Sequence, residues 1–437
     1  MRILSITAGA ANMYCGSCLR DNALAAELIR RGHEVTLMPV YTPTLTDEAN
    51  VSTGRVLFGG ISVYLEQYVP LFRRSPAFLD RLWDAAPVIR AFSRRSMSTD
   101  PRMLGELTVS MLKGEHGHQR KEFEKLVAWL RTEPKPDVVN LPNSLLIAMA
   151  APIRRALGAP VTVTLQGEDL FLDGLHEPWR SQALELIRGQ VGGVDLFVAV
   201  SEFCARRMRD LLAIPESKLA VVPLGIALGG YEGPRKPRTP PFTVGFFARL
   251  APEKGLHELA EAYRLLRQTH GLPAGRLEAA GYLAAEHRPY LAKIEQQMRG
   301  WGLGDEFAYR GTLSREEKVR FLRGLDVLSV PGPYPDVKGI YLLEAMAAGT
   351  PVVQPRRGAY EETLERTGGG MLTEPTVEAI AEGLLALSRD AGLAERLGRV
   401  GAEGVRAHYS VAREADRAVA VYEQLLGSRV ARAVKGA

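Results

Sequence analysis

Cysteine is scarce: Cys15, Cys18 and Cys204 are the only three in 437 residues. That excludes a disulfide framework and fits a reducing compartment. Long apolar runs are missing too. No stretch approaches the roughly 20 residues that cross a bilayer, and residues 1–10 lack the apolar centre of a secretory signal, so the sequence reads as cytoplasmic. Charge of one sign is not in excess, since 55 Lys and Arg face 50 Asp and Glu for a net +5. So thin a surplus does not point to a nucleic-acid partner, although it mildly favours anionic ligands. There is no Asp-x-Asp pair, the common metal signature of one class of sugar-nucleotide enzyme, and no tandem repeat or low-complexity tract. What the chain does have is 46% hydrophobic and 24% charged residues. At this length that composition describes a folded α/β protein of two or three domains.

The apolar pattern gives the order of the parts. A strand over 3–7, a small-residue loop over 8–17, a helix over 19–31 and a strand over 33–38 make a βαβ unit. Further strands at 138–141, 161–165, 196–200 and 219–222 alternate with helical patterns at 144–157 and 202–212, the rhythm of a parallel sheet covered on both faces. Residues 229–241 hold four prolines and read as a linker. The rhythm then restarts, with strands at 243–247, 276–280, 326–330 and 351–354 and helices at 255–270, 286–301 and 339–348. The division expected is 1–228, linker 229–241, 242–410, and a closing helix within 411–437. The stretch 62–131 departs from this rhythm. It is helical in pattern, carries Arg73-Arg74, Arg94-Arg95 and Arg120-Lys121, and interleaves Tyr64, Tyr68, Phe72, Phe78, Trp83 and Phe92. Such a segment suits an acceptor or a membrane surface, or else packs its aromatics and solvates its charges.

Two segments in the second half bear the chemistry. In 329–362 a strand runs into a Pro/Gly loop and a helix opens near Gly339, so the amides of a helix start, with Ile340 and Tyr341 leading it, offer an anion site. Asp336 and Glu344 are spaced to address different hydroxyls of one extended ligand. In 245–255, Arg249 follows a strand and Lys254 opens the next helix, a cationic clamp for a diphosphate. The first half carries Cys15-Gly16-Ser17-Cys18 at a helix start after a strand. That spacing is also a dithiol signature, but the favoured reading is a small-residue loop in which Gly16 and Ser17 let the backbone pass close to an acceptor or phosphate. No second C-x-x-C accompanies it, so no metal site is expected.

With these residues the sequence resembles the retaining nucleotide-sugar glycosyltransferases of glycosyltransferase family 4. The resemblance implies the GT-B fold, two Rossmann-like domains with parallel sheets facing across a cleft. By that resemblance Arg249 and Lys254 bind the donor diphosphate, although Ala248 stands where the family has a leading Gly. Glu344 holds the ribose. Asp336, in place of a Glu, addresses the donor sugar together with Gln166, which stands where many members have His. Glu362 is expected on the donor side as well, helping to order the loop after Gln354. Lys338 replaces an aromatic beside Gly339, and Leu224 replaces an Asn. The implied activity is metal-independent transfer of a sugar, with retention, from a nucleoside diphosphate sugar to a carbohydrate, lipid or small-molecule hydroxyl. No cofactor beyond the donor and no nucleic acid is implied, and a peripheral contact at the inner membrane face would suit a lipid acceptor. A nucleotide-sugar-binding protein without transfer, or a nucleotide-sugar epimerase, would share the fold.

Overall fold

A computed structural model of the chain describes residues 1–9, 15–54, 56, 58, 60–68, 101–233 and 239–435. Its contacts separate two units, Met1–Leu224 with Glu414–Ala437, and Gly225–Arg413.

Unit 1 is built on six strands: β1 (Arg2–Thr7), β2 (Glu34–Pro39), β3 (Val138–Leu141), β4 (Val161–Leu165), β5 (Leu196–Ala199) and β6 (Leu219–Val221). They lie in the order β2-β1-β3-β4-β5-β6, every pair parallel. All residues of β3 and β4 are buried, as expected where helices cover both faces of a parallel sheet. Leu24 and Leu28 of the first helix, Gly16–Arg30, pack on Ile3, Val138, Val198 and Val222. The last helix, Val411–Lys435, brings Ala415, Ala418 and Tyr422 into that same cluster. Unit 1 is therefore completed by a segment from the far end of the chain.

The division falls at Leu224/Gly225 rather than at 228, for a reason in the backbone. Ile226 N donates to Tyr409 O and Val411 N donates to Ile226 O, each at 2.9 Å, so this stretch is tied to unit 2. Of the basic stretch 62–131, three helices are described, Gly60–Tyr68, Pro101–Leu112 and Arg120–Leu130. Phe72, Phe78, Trp83, Phe92 and the pairs Arg73-Arg74 and Arg94-Arg95 lie outside the described residues, as do residues 234–238 of the expected linker. In the third of these helices Phe123, Leu126, Trp129 and Leu130 are buried, while Arg120 pairs with Glu124 and Lys121 with Glu66. Among the described residues, no helix is long and apolar enough to cross a membrane.

Unit 2 repeats the plan with β7 (Phe242–Phe247), β8 (Gly275–Ala280), β9 (Phe307–Tyr309), β10 (Val327–Leu328), β11 (Val352–Pro355) and β12 (Gly370–Thr373). The order is β12-β11-β10-β7-β8-β9, again all parallel. β9 and β12, half-buried edge strands of three and four residues, are absent from the sequence reading. The helix expected over 255–270 is α-helical only over Leu256–Arg264 and widens to a π turn over Leu265–Thr269. The order of strands reverses between β1 and β3 in unit 1, and between β7 and β10 in unit 2. Beyond the carboxyl ends of strands at such a reversal lies the usual ligand position of an open parallel sheet.

Candidate functional site

In unit 2 that position is occupied by the loops after β7 and β10, and glycine sets how closely they pass. A Cβ on Gly332 would lie 2.3 Å from Glu253 O and 3.0 Å from Lys254 Cα. Gly255, at φ +77°, would put one 2.7 Å from Gly332 Cα. Only residues without a side chain allow this backbone contact and the left-handed turn. The consequence is a fixed register that sets Lys254 against Asp336.

Lys254 Nζ donates to Asp336 Oδ2. Tyr341 OH donates to the same oxygen at 3.0 Å, and Lys338 N donates to Oδ1 at 2.9 Å. The Lys254 ammonium also lies 5.4 Å from the centre of the Tyr341 ring, and Tyr341 OH meets Tyr360 OH at 2.6 Å. Burial alone would push the Asp336 carboxyl up. The Lys254 charge, its hydrogen bond and the Lys338 amide outweigh that and hold it well below the usual carboxylate range. Burial, with the Asp336 charge beside them, pushes both tyrosine hydroxyls far up, so they remain protonated. The cluster thus presents a charged carboxylate and an ammonium at the start of the helix Ile340–Ala347. Gly339 caps that helix at φ +61° with no side chain bonded to the helix amides. Ile340 and Tyr341 lead it, at the positive end of its dipole.

Arg249 lies just past β7, bonded to Glu253, and its side chain keeps 35% of its exposure. Glu344 is buried further along the helix. Lys318 Nζ donates to its Oε1 at 2.5 Å and Tyr231 OH donates to the same oxygen at 3.4 Å. Arg315 in turn stacks on the Tyr231 ring at 4.9 Å. Glu362 sits in the first turn of the helix Tyr360–Thr367. Sequence reasoning singled out Arg249, Lys254, Asp336 and Glu344 but missed Lys318, Tyr231 and Tyr360. Lys318 and Tyr231 come from remote elements that no local spacing marks, and Tyr360, though within 329–362, has nothing in its spacing to show that its hydroxyl meets Tyr341.

Gln166, Gly16 and Ser17 belong to unit 1, at its own strand-order reversal. Gly16 and Ser17 are the first residues of the helix Gly16–Arg30, half-buried, with Cys15 at the cap. Gln166 follows β4 and is 3% exposed; its Nε2 donates to Pro142 O at 2.9 Å, and more weakly to Asp21 Oδ1 at 3.4 Å. Among the described residues its Oε1 is buried without a partner, as are Asp21 Oδ2, Asn143 Oδ1 and the Thr7 hydroxyl. Arg20 runs between two carboxylates, donating to Glu414 Oε1 at 2.5 Å and to Asp21 Oδ1 at 3.2 Å, all three side chains almost fully buried. Burial pushes the Asp21 carboxyl up despite Arg20, and burial pushes Glu168 up as well, although Ser144 N and Gln166 N both donate to it. An open recess of about 430 Å³ elsewhere in unit 1 is lined by Arg180, Arg206 and Arg207 with Asp173 and Asp210. Arg180 and Arg207 are both spent on Asp173, so that recess has little positive charge left for an anion.

The comparisons with known proteins agree with this geometry. The family description "Glycosyl transferases group 1" matches residues 233–403, and "Glycosyltransferase Family 4" matches residues 108–229. A GDP-mannose-dependent alpha-(1-6)-phosphatidylinositol monomannoside mannosyltransferase of Mycobacterium tuberculosis is 25% identical over 373 residues, 80% of this chain and 91% of that protein. Sucrose-phosphate synthase of Thermosynechococcus elongatus superimposes with a TM-score of 0.71 over 98% of this chain and 100% of its own, at 17% identity. Anabaena HepE, solved in complex with UDP-glucose, gives 0.64 over 98% and 100%, also at 17% identity. Consecutive matches of this kind, falling on two six-stranded parallel sheets, make the chain a glycosyltransferase of family 4 with the paired Rossmann-like units of the GT-B fold.

Proposed function

We propose that the chain transfers a sugar from a nucleoside diphosphate sugar to an acceptor hydroxyl with retention of configuration and without a metal ion. The observation that carries this reading is the Lys254–Asp336–Tyr341 cluster at the start of the helix Ile340–Ala347. Arg249, Lys254 and the leading helix amides are the groups suited to a diphosphate, which gathers negative charge as it leaves. Glu344 offers its ribose-binding role through Oε2, since Lys318 and Tyr231 both donate to Oε1. We assign to Asp336 contact with donor-sugar hydroxyls and, as a separate proposal, to Gln166, whose Oε1 has no partner among the described residues, the same chemistry. Glu362 acts on the loop rather than on the ligand. In the proposed front-face step the leaving phosphate oxygen takes the acceptor proton while the sugar develops oxocarbenium character, so no side-chain base is required.

The acceptor is proposed to be carbohydrate or lipid-borne. The mycobacterial relative is named for a lipid-linked substrate, and a basic, aromatic stretch of this chain would suit a peripheral contact with anionic lipid. Cosedimentation with anionic vesicles at low salt tests that contact, and no binding there would remove it.

The experiment that tests the donor site is calorimetric titration of UDP, GDP and ADP, without divalent ions, into wild type and Lys254→Ala. One nucleotide should bind, and the variant should weaken it by about tenfold to a hundredfold, the worth of a charge-assisted hydrogen bond. No binding by folded wild type would overturn the site. Product analysis by anomeric NMR tests retention, and an inverted product would overturn the front-face step.

A further inference from the structure

The first helix holds a dithiol that sugar transfer does not use. Cys15 is its cap residue in extended conformation (φ −100°, ψ 123°), with no side-chain bond to the helix amides, and Leu19 N donates to Cys15 O at 2.9 Å. Cys18 is therefore the third residue of the helix, and the cap and third positions are those whose side chains meet in a capping box. The two thiols are in hydrogen-bonding contact. They differ in access, since Cys15 is partly exposed and Cys18 is wholly buried. A half-exposed sulfur at a helix start beside a buried one is an ordered pair, one to meet a partner and one to close on the first.

Closing requires somewhere for the second proton to go, and the structure provides it. Asp21 lies one turn beyond Cys18 on the same helix, 3% exposed, with Oδ2 buried and without a hydrogen-bond partner of ordinary geometry among the described residues. The Thr7 hydroxyl, also lacking a hydrogen bond of ordinary geometry, lies against both Cys18 and Asp21. The contact with Cys15, together with burial, pushes the Cys18 thiol well up, and burial pushes the Asp21 carboxyl up as well. A carboxylate raised by burial is a stronger base than the same group in water, and Thr7 links it to the Cys18 thiol.

We propose that Cys15 and Cys18 form a reversible intramolecular disulfide by exchange with a disulfide-bearing thiol compound or protein, with Asp21 as proton acceptor. The Cys15 thiolate attacks the partner's disulfide, forming a mixed disulfide and releasing one partner thiolate. Cys18 gives its proton to Asp21 Oδ2, and its sulfur attacks the Cys15 sulfur, releasing the second partner thiolate. Two electrons pass from the pair to the partner, which leaves as two thiols once its sulfurs and the Asp21 carboxyl re-equilibrate their protons with water. Cys204, buried and directed at Leu165 O, takes no part.

The test uses the whole chain equilibrated in glutathione/glutathione disulfide mixtures, quenched in acid, and alkylated in denaturant. The reduced protein should take three labels. The oxidised protein should take one, on Cys204, and the peptide bearing Cys15 and Cys18 should be lighter by two hydrogens, reversibly with dithiothreitol. Three labels in every mixture, or a glutathione adduct persisting on Cys15 with Cys18 labelled, would overturn the pair. A stopped-flow chase of the mixed disulfide in Asp21→Asn should close about a hundredfold more slowly than wild type. An unchanged closing rate would overturn the role of Asp21. The thiol count in wild type decides the pair whether or not that variant folds.

Discussion

Two buried aspartates mark the strand-order reversals of the two sheets, and their surroundings drive them in opposite directions. Asp336 in unit 2 has a lysine to itself, with a tyrosine and a backbone amide besides, and its carboxyl is held well below the ordinary range. Asp21 in unit 1 is somewhat more deeply buried, its arginine makes the shorter bond to Glu414, and burial prevails. Depth alone does not set the charge of a buried carboxylate; what matters is whether its cation is shared. The paired aspartate sits where a charged ligand site is proposed, and the strained one sits beside a dithiol.

The comparison can be broken hardest at Arg20. Arg20→Leu strips the cation from two buried carboxylates at once, and unit 1 should lose about 4 kcal/mol in denaturant unfolding, the range for orphaned buried charges. Lys254→Met should make Asp336 resemble Asp21. Its expected cost is about 3 kcal/mol, somewhat smaller because that pair keeps some exposure and Asp336 retains Tyr341 and the Lys338 amide. A loss confined to unit 2, read from peptide-resolved hydrogen exchange, would confirm the contrast, and equal losses in both units would refute it.

Acidity sharpens the contrast without mutation. An aspartate in the unfolded chain titrates near pH 3.9. The depressed Asp336 contributes stability that is complete above about pH 4 and is lost as pH falls below it. Raised carboxyls act with the opposite sign, so Asp21 and Glu168 should cost unit 1 stability as pH climbs from about 4 through their folded values. Hydrogen exchange at several pH values, corrected for intrinsic rates, should show unit 2 gaining protection as pH rises toward about 4 and unit 1 losing it as pH climbs beyond that. Parallel behaviour would mean that other groups dominate. The smallest effect belongs at the surface, where Arg120 and Glu124 pair one turn apart with both side chains more than half exposed. Arg120→Ala should change stability by less than about 0.5 kcal/mol in the same unfolding experiment.

How far the sequence foretells these features depends on the range of the interaction. Strands such as β4 are legible because Val161, Val163 and Leu165 alternate with β-branched threonines over five residues, all of them buried. β9 and β12 are not, since three and four residues are too few to show a period. Lys254 and Asp336 stand out as motif residues, yet that they bond to each other follows from Gly255 and Gly332 letting two loops touch. Lys318 has no signature at all until the fold brings it 2.5 Å from Glu344. The Arg20–Glu414 pair spans nearly the whole chain, and nothing near either residue announces the other.

That last pair bears on how the protein is made. The cluster around Ile3, Leu24 and Val198 stays open until Ala415, Ala418 and Tyr422 arrive, and Arg20 has no Glu414 to answer it before then. Residues 225–413, the whole of unit 2, are translated in between. All of unit 2 is therefore translated before unit 1 has its last residues, and a chain cut just short of residue 414 would expose an apolar face on its first unit. The first unit to be synthesised is the last to be sealed.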